Sequence, residues 1–262
     1  MSMIKLKRRK KLTSGKIGLV LSGGGARGFA HLGVIQALLE KDIHIDYISG
    51  VSAGAVAAAF FASGYSPIDI MGFLIEKSYL KYFRIGVPNM GFVKNIALYK
   101  LMLEALPPNI EDLKIPTWVT VTELNSGQCV HLHTGPLARA VLASTSIPVI
   151  FQPVVWKQKS YVDGGVMNNL PIEALEGKCD HIIASHVNPF DEVESPGSIF
   201  KILERTFHLA IKENTENKMS RCTLFIEPPE LTKFKIFDFK KAPMLFDIGY
   251  EETMKQLERM KL

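Results

Sequence analysis

The chain has 262 residues, 47% hydrophobic and 22% charged, which is enough to bury a substantial core and excludes a disordered, collagen-like or coiled-coil protein. Cys129, Cys179 and Cys222 stand far apart with no C-x-x-C pair, which argues against a disulfide scaffold or zinc ribbon and favours a reducing compartment. The net charge of +5 is unevenly spread: seven of the 31 basic residues and none of the 26 acidic ones lie in residues 1–16, leaving 24 basic and 26 acidic residues in the remainder.

Residues 1–16 read as a cationic tail. Near an anionic lipid surface each such charge is worth about 1 kcal/mol, and a solvated tail without a partner is the alternative. Only Ile17 to Leu21 follow before a run of glycines, too short an apolar stretch for a secretory signal. The most apolar stretch, residues 53–62, is too short to span a bilayer. The expectation is a cytoplasmic protein able to touch the inner membrane face peripherally.

The first strand is read at residues 17–21, then a helix over 29–41 with Leu32, Ile35, Leu38 and Leu39 at helical spacing. A short strand at 46–49 precedes an alanine-rich buried helix over 53–63, closed by Gly64. Further strands are expected at 117–123, 129–133, 161–162, 181–187 and 223–227, and helices at 198–217 and 247–260. This alternation predicts an α/β fold, a parallel or mixed sheet covered by helices. No repeat or low-complexity linker divides residues 17–262, which read as one domain after the tail.

Ser22-Gly23-Gly24-Gly25-Ala26-Arg27-Gly28 falls between a strand and a helix. Consecutive glycines turn the backbone tightly and present unobstructed amides to negative charge at a helix N-terminus. A dinucleotide fingerprint would want an acid at the end of the next strand; Asp46 instead precedes that strand's apolar part. A phosphate-binding P-loop lacks its Gly-Lys-Ser/Thr. An oxyanion hole and a purely structural turn remain.

Gly50-Val51-Ser52-Ala53-Gly54 also sits between strand and helix. A nucleophilic serine on a sharp turn needs small neighbours where strand and helix backbones converge. For its base, His186 ends a strand candidate, His208 lies in an amphipathic helix, and Asp163 precedes two glycines at a strand end, where an ordinary Asp-Gly turn is the plain reading.

The set Gly-Gly-Gly-Ala-Arg-Gly, Gly-Val-Ser-Ala-Gly and Asp163-Gly164-Gly165, with Ala143-Ser144-Thr145-Ser146-Ile147-Pro148, Phe151-Gln152-Pro153-Val154 and Asn168-Asn169-Leu170-Pro171, resembles the patatin-like phospholipases over residues 17 to 187. The resemblance implies a three-layer α/β/α sandwich with a mainly parallel central sheet. It also implies a Ser-Asp dyad without histidine: Ser52 as nucleophile, Asp163 as base, and Gly23, Gly24, Gly25 and Arg27 building the oxyanion loop. Ser22 departs from the pattern, standing where some relatives have Asp. The activity expected is hydrolysis of a phospholipid or lysophospholipid acyl ester through an acyl-serine, with no metal or organic cofactor. A thioesterase or general carboxylesterase using the same dyad, and a non-catalytic lipid-binding module, are the rivals.

Weaker signals have plainer readings. Cys129, His131 and His133 share one side of a strand, where a solvated polar face is favoured over a metal site. His31 is read as structural. Residues 77–103 and 233–246 mix lysines with aromatics, which suits an interfacial lipid contact, a lid for the first stretch, or core helices with snorkelling lysines. No nucleic-acid motif accompanies them, so no nucleic acid is expected as a partner.

Overall fold

In a computed structural model, residues 15–76, 96–190 and 217–260 are described, with isolated positions 202, 205, 206, 209 and 215. Among these, eight strands form one sheet: β1 Ile17–Leu21, β2 Tyr47–Val51, β3 Thr117–Glu123, β4 Gln128–Leu132, β5 Val154–Trp156, β6 Lys159–Asp163, β7 His181–Ser185 and β8 Leu224–Ile226. Their order is β5-β6-β3-β2-β1-β7-β8, with β4 also paired to β3. The run from β3 to β8 is parallel, while β4 and β6 meet β3, and β5 meets β6, antiparallel. The sheet is mixed around a parallel core.

Parallel strands are buried on both faces and so read as continuous apolar runs. Leu19 and Leu21 of β1, Ile183 of β7, and Leu224 and Ile226 of β8 enter one core. Val20, Ile182 and Ala184 enter another on the opposite face, as the period of two requires. The first core is covered by helices: α1 Phe29–Glu40, α2 Ala53–Ser63, α3 Pro67–Glu76, α4 Ile96–Ala105, α5 Leu137–Ser144 and α6 Ala242–Arg259. The second is covered by Leu170, Ile172 and Leu175 from a segment of short 3-10 turns. Gly164, Gly165, Pro171 and Gly177 punctuate that segment, which keeps its turns from extending into a long helix.

The expected elements at 17–21, 53–63 and 117–123 agree with the structure at both ends. Strand β2 runs on to Val51 because Gly50 and Val51 stay in register with Val119 and Thr120 of β3. Helix α6 starts at Ala242, earlier than its apolar spacing suggested. Strand β5 and helices α3 and α5 are additions to the sequence reading, while α4 overlaps the 77–103 stretch for which core helices were one reading. Most of the helix expected at 198–217, most of residues 1–16 and all of residues 77–95 lie outside the described residues.

One feature of the topology positions the site. On β3, β2 pairs with Thr117 to Thr120 and β6 with Val121 to Glu123, while β4 spans Val119 to Glu123. Because β4 overlaps both partners, β2 and β6 must share the other edge. Strand β2 runs parallel to β3 and β6 antiparallel, so the two approach each other head-on. Their C-terminal residues, Val51 and Asp163, pair with the adjacent residues Thr120 and Val121.

Candidate active site

Ser52 follows β2 and caps α2 at φ 52° and ψ −122°, a backbone region that costs a non-glycine residue about 1–3 kcal/mol. Its surroundings enforce that turn. A Cβ on Gly50 would stand 2.4 Å from the Gly54 carbonyl oxygen, and one on Gly54 would stand 2.3 Å from that of Leu21. The close strand-to-helix approach inferred from the spacing is therefore present. The Ser52 amide donates to Ser144 Oγ at 2.8 Å, and Ser144 Oγ donates to the Thr120 carbonyl at 2.7 Å. The buried Ser144 thus ties the turn to β3.

Asp163 ends β6 and is 2% exposed. Its Oδ1 accepts the Gly165 amide at 2.8 Å, and the Ser52 side chain lies close enough to favour its ionised form. Burial raises its pKa from 3.8 to about 7; Ser52 and Gly165 restrain that rise, because they favour the ionised form. The structure places these two predicted residues near each other, at the facing ends of β2 and β6.

The glycine loop crosses beside them. A Cβ on Gly23 would lie 3.2 Å from Ser52 Cβ and 2.4 Å from Asn169 Oδ1, so only glycine fits. The loop's amides divide into two groups. Gly23 donates to the Asn169 carbonyl at 3.3 Å, Ala26 to that of Ile236 at 2.8 Å and Arg27 to that of Gly24 at 3.2 Å. The amides of Gly24 and Gly25 find no acceptor among the described residues. Arg27 sits within the loop, yet its Nε and a terminal nitrogen donate to the Phe234 carbonyl at 2.8 and 2.6 Å. Its guanidinium fastens the loop to residues 234–236.

The histidines serve other contacts. His31 is buried, with Nε2 against the Ser22 carbonyl and Nδ1 against Ser185 Oγ, both at 2.8 Å. A carbonyl only accepts, so Nε2 carries the proton and Nδ1 accepts the Ser185 hydroxyl. Burial lowers its pKa to about 4, and the neutral ring braces the start of the glycine loop. His186 Nδ1 contacts Glu227 Oε1 at 2.6 Å, whereas the acid beside Ser52 is Asp163. His208 lies outside the described residues. Asp46 Oδ2 accepts the Ile17 amide at 2.7 Å, at the end of β1 away from the loop, which removes the acid a dinucleotide site needs there.

Cys129 and His131 are half-buried, not solvated: His131 Nδ1 meets Thr120 Oγ1 at 2.9 Å, and burial pushes the Cys129 thiol up to about 11. Only His133, stacked on Trp118, is exposed. Among the described residues no three His, Cys, Asp or Glu side chains gather as a metal site. Behind Asp163, the buried Lys218 Nζ donates to Asn168 Oδ1 at 2.6 Å, the Leu170 carbonyl at 3.0 Å and Glu173 Oε2 at 3.2 Å. Sequence reasoning assigned no role to Ser144 or Lys218. Ser144 had one signal, its place in the quoted Ala143 to Pro148 motif; Lys218 had none.

Ser52 and Ala53 open onto an apolar pocket continuous with solvent. Phe29, Leu32, Val56 and Leu74 line it from the helices, and Ile147, Phe151, Ile236 and Phe239 from loops and turns. An apolar lining of this kind suits a hydrocarbon chain.

Comparison with known proteins follows the same lines. A lysophospholipase from Aspergillus terreus is 26% identical over 289 residues, which cover 96% of this chain and 19% of that protein. An NTE family protein of Mycobacterium tuberculosis is 32% identical over 182 residues, covering 67% of this chain and 50% of the other. The chain thus spans about a fifth of the length of the first relative and half of the second. Among solved structures, VipD from Legionella pneumophila matches with a TM-score of 0.48 at 17% identity, over 88% of this chain and 67% of that one. ExoU from Pseudomonas aeruginosa, solved with SpcU, matches with a TM-score of 0.48 at 18% identity, over 93% and 52%. The model of the patatin-like phospholipase family matches residues 19–176, more than half the chain, and the chain belongs to that family.

Proposed function

We infer that the protein is a serine acyl hydrolase of lipid esters, acting on a phospholipid or lysophospholipid through Ser52 and Asp163. One observation carries this reading: a serine on a strained turn has its side chain beside a buried carboxylate at the mouth of an apolar pocket. Ser52 Oγ attacks the ester carbonyl carbon while its proton passes to Asp163. A base with a pKa near the working pH is well matched to that transfer. The carbonyl oxygen becomes negative facing the amides of Gly24 and Gly25, donors already oriented and worth about 3–4 kcal/mol each in related chemistry. Collapse expels the alcohol portion, which takes the proton from Asp163 and leaves the acyl group on Ser52. Water then attacks the acyl-serine, giving its proton to Asp163, and the fatty acid departs as Ser52 recovers its proton.

Lysophospholipase is the name of relatives that match nearly the whole chain, which favours a single-chain lipid among the candidate substrates. The test is covalent labelling by a fluorophosphonate, combined with mass spectrometry of products from a mixed lipid extract. Wild type should label once and release fatty acid; Ser52→Ala should do neither, and Asp163→Asn should lose at least a thousandfold in rate. Labelling that survives Ser52→Ala, or full turnover by Asp163→Asn, overturns the assignment.

A further inference from the structure

The stretch that completes the pocket wall also faces outward. Residues 233–244 contain Lys233, Lys235, Lys240 and Lys241 against the single acid Asp238. All four lysines are exposed. The Asp238 carboxylate accepts the Lys235 amide at 2.8 Å, closing a turn. Between the lysines stand exposed apolar groups, Phe237 at 46% and Met244 at 49%. Across the pocket, the loop joining the lining residues Ile147 and Phe151 presents Val149 at 55% exposure and φ 71°. A β-branched residue in the left-handed region is strained, so this loop holds an apolar side chain outward against its backbone preference.

We propose that residues 233–244, together with the Val149 loop, form a docking face for an anionic lipid bilayer surface. Resting on the lipid-ester reading above, the proposal adds where and how the protein meets the lipid phase. Three observations select this occupant. The charge is locally basic, whereas the chain beyond residue 16 has a small acidic excess, so the face complements anionic headgroups. Apolar side chains among lysines can enter the acyl boundary while the ammonium groups stay at headgroup level. Ile236, Phe237 and Phe239 also line the pocket of Ser52, so a chain leaving the bilayer at this face would enter the pocket directly.

The face is fixed to the glycine loop by the Ala26 amide on the Ile236 carbonyl and by the Arg27 guanidinium on that of Phe234. Docking and loop geometry are thereby mechanically linked.

The test compares co-sedimentation of the full chain with phosphatidylcholine vesicles that contain or lack about one third phosphatidylglycerol. A Ser52→Ala background keeps the vesicles intact and makes binding independent of the catalytic assignment. Ser52→Ala should pellet with the anionic vesicles. Adding K233Q/K235Q/K240Q/K241Q should lower partitioning by about fivefold per lysine removed, and the matching Lys→Arg set should restore it. With Ser52 intact, the four Lys→Gln changes should leave hydrolysis of a water-soluble short-chain ester unchanged and slow hydrolysis of vesicle lipid. Equal pelleting of the Lys→Gln set and its parent overturns the proposal. So does a dimer in sedimentation velocity that the same changes dissociate without any vesicle binding, since a second copy would then own this face. Vesicle binding lost with the lysines, but with no soluble-ester hydrolysis by wild type, would leave the docking face standing and reject the hydrolase reading.

Discussion

A carboxyl group that burial holds at about 7 is half ionised near neutrality, so Asp163 ties both activity and stability to pH. As the proposed base it must be ionised: kcat/KM on a monomeric ester should fall about tenfold per pH unit below about 7 and level off above. A flat profile across that range would move the base elsewhere. For stability the sign is opposite. The native state holds this proton up to about pH 7, whereas the unfolded chain releases it near 3.8, so the contribution to stability declines as pH rises through that window. Asp163→Asn carries no such burden, and its melting temperature should exceed that of wild type at about pH 8, with the gap closing toward about pH 4. Ser52 and Asp163 were legible because each needs glycine neighbours, and glycine patterns survive in a bare sequence. The direction of Arg27 was not: its acceptor lies 207 residues away.

Among the elements, β3 gathers the site. It pairs with β2, β4 and β6, and through the Thr120 carbonyl it holds Ser144, which in turn holds the Ser52 amide. Ser144→Ala strips a buried amide and a buried carbonyl of their partner, which should cost about 1–3 kcal/mol of stability. Because the lost bond sets the nucleophile's backbone, kcat should fall more than KM rises, and Ser144→Thr should recover part of the loss. Unchanged kcat in Ser144→Ala would show that the strand and helix alone hold the turn. Elements with a strong local composition announced themselves: six β-branched or aromatic residues among the seven of β3, an alanine-rich run in α2. Strand β5 has three residues, and the 3-10 turns over the second core have no period long enough to detect. Tertiary contacts, not local preference, define them.

At the scale of the molecule, one face of the sheet rests on helices and the other on a segment pinned by a single buried cation. Lys218 satisfies Asn168, the Leu170 carbonyl and Glu173 together, and Arg221 adds Glu173 and Glu176 nearer the surface. Lys218→Met would leave these acceptors without their donor, a loss of about 2 kcal/mol or more. For a chain of this size that is roughly 4–8 °C in melting temperature, readable by circular dichroism; an unshifted melt would assign the pinning to Arg221 alone. No helix among the described residues is long and apolar enough to cross a membrane. The layered α/β plan was readable from alternating apolar periods, whereas the clamp was not, because it joins side chains that share no motif.

The head-on meeting of β2 and β6 has a consequence for how such a site can change over evolutionary time. Strands that abut along one edge have their gap gauged by the rise of a single peptide step on the strand beside them, not by the chain that links them. Parts of the 64–116 and 124–153 connections that touch neither β3 nor the Ser52 turn can therefore change while Ser52 and Asp163 stay in gauge, whereas β4 and Ser144 cannot. Leu74, Ile147 and Phe151 of the pocket wall lie in those connections, so that part of the wall is free to drift without moving the two strand ends.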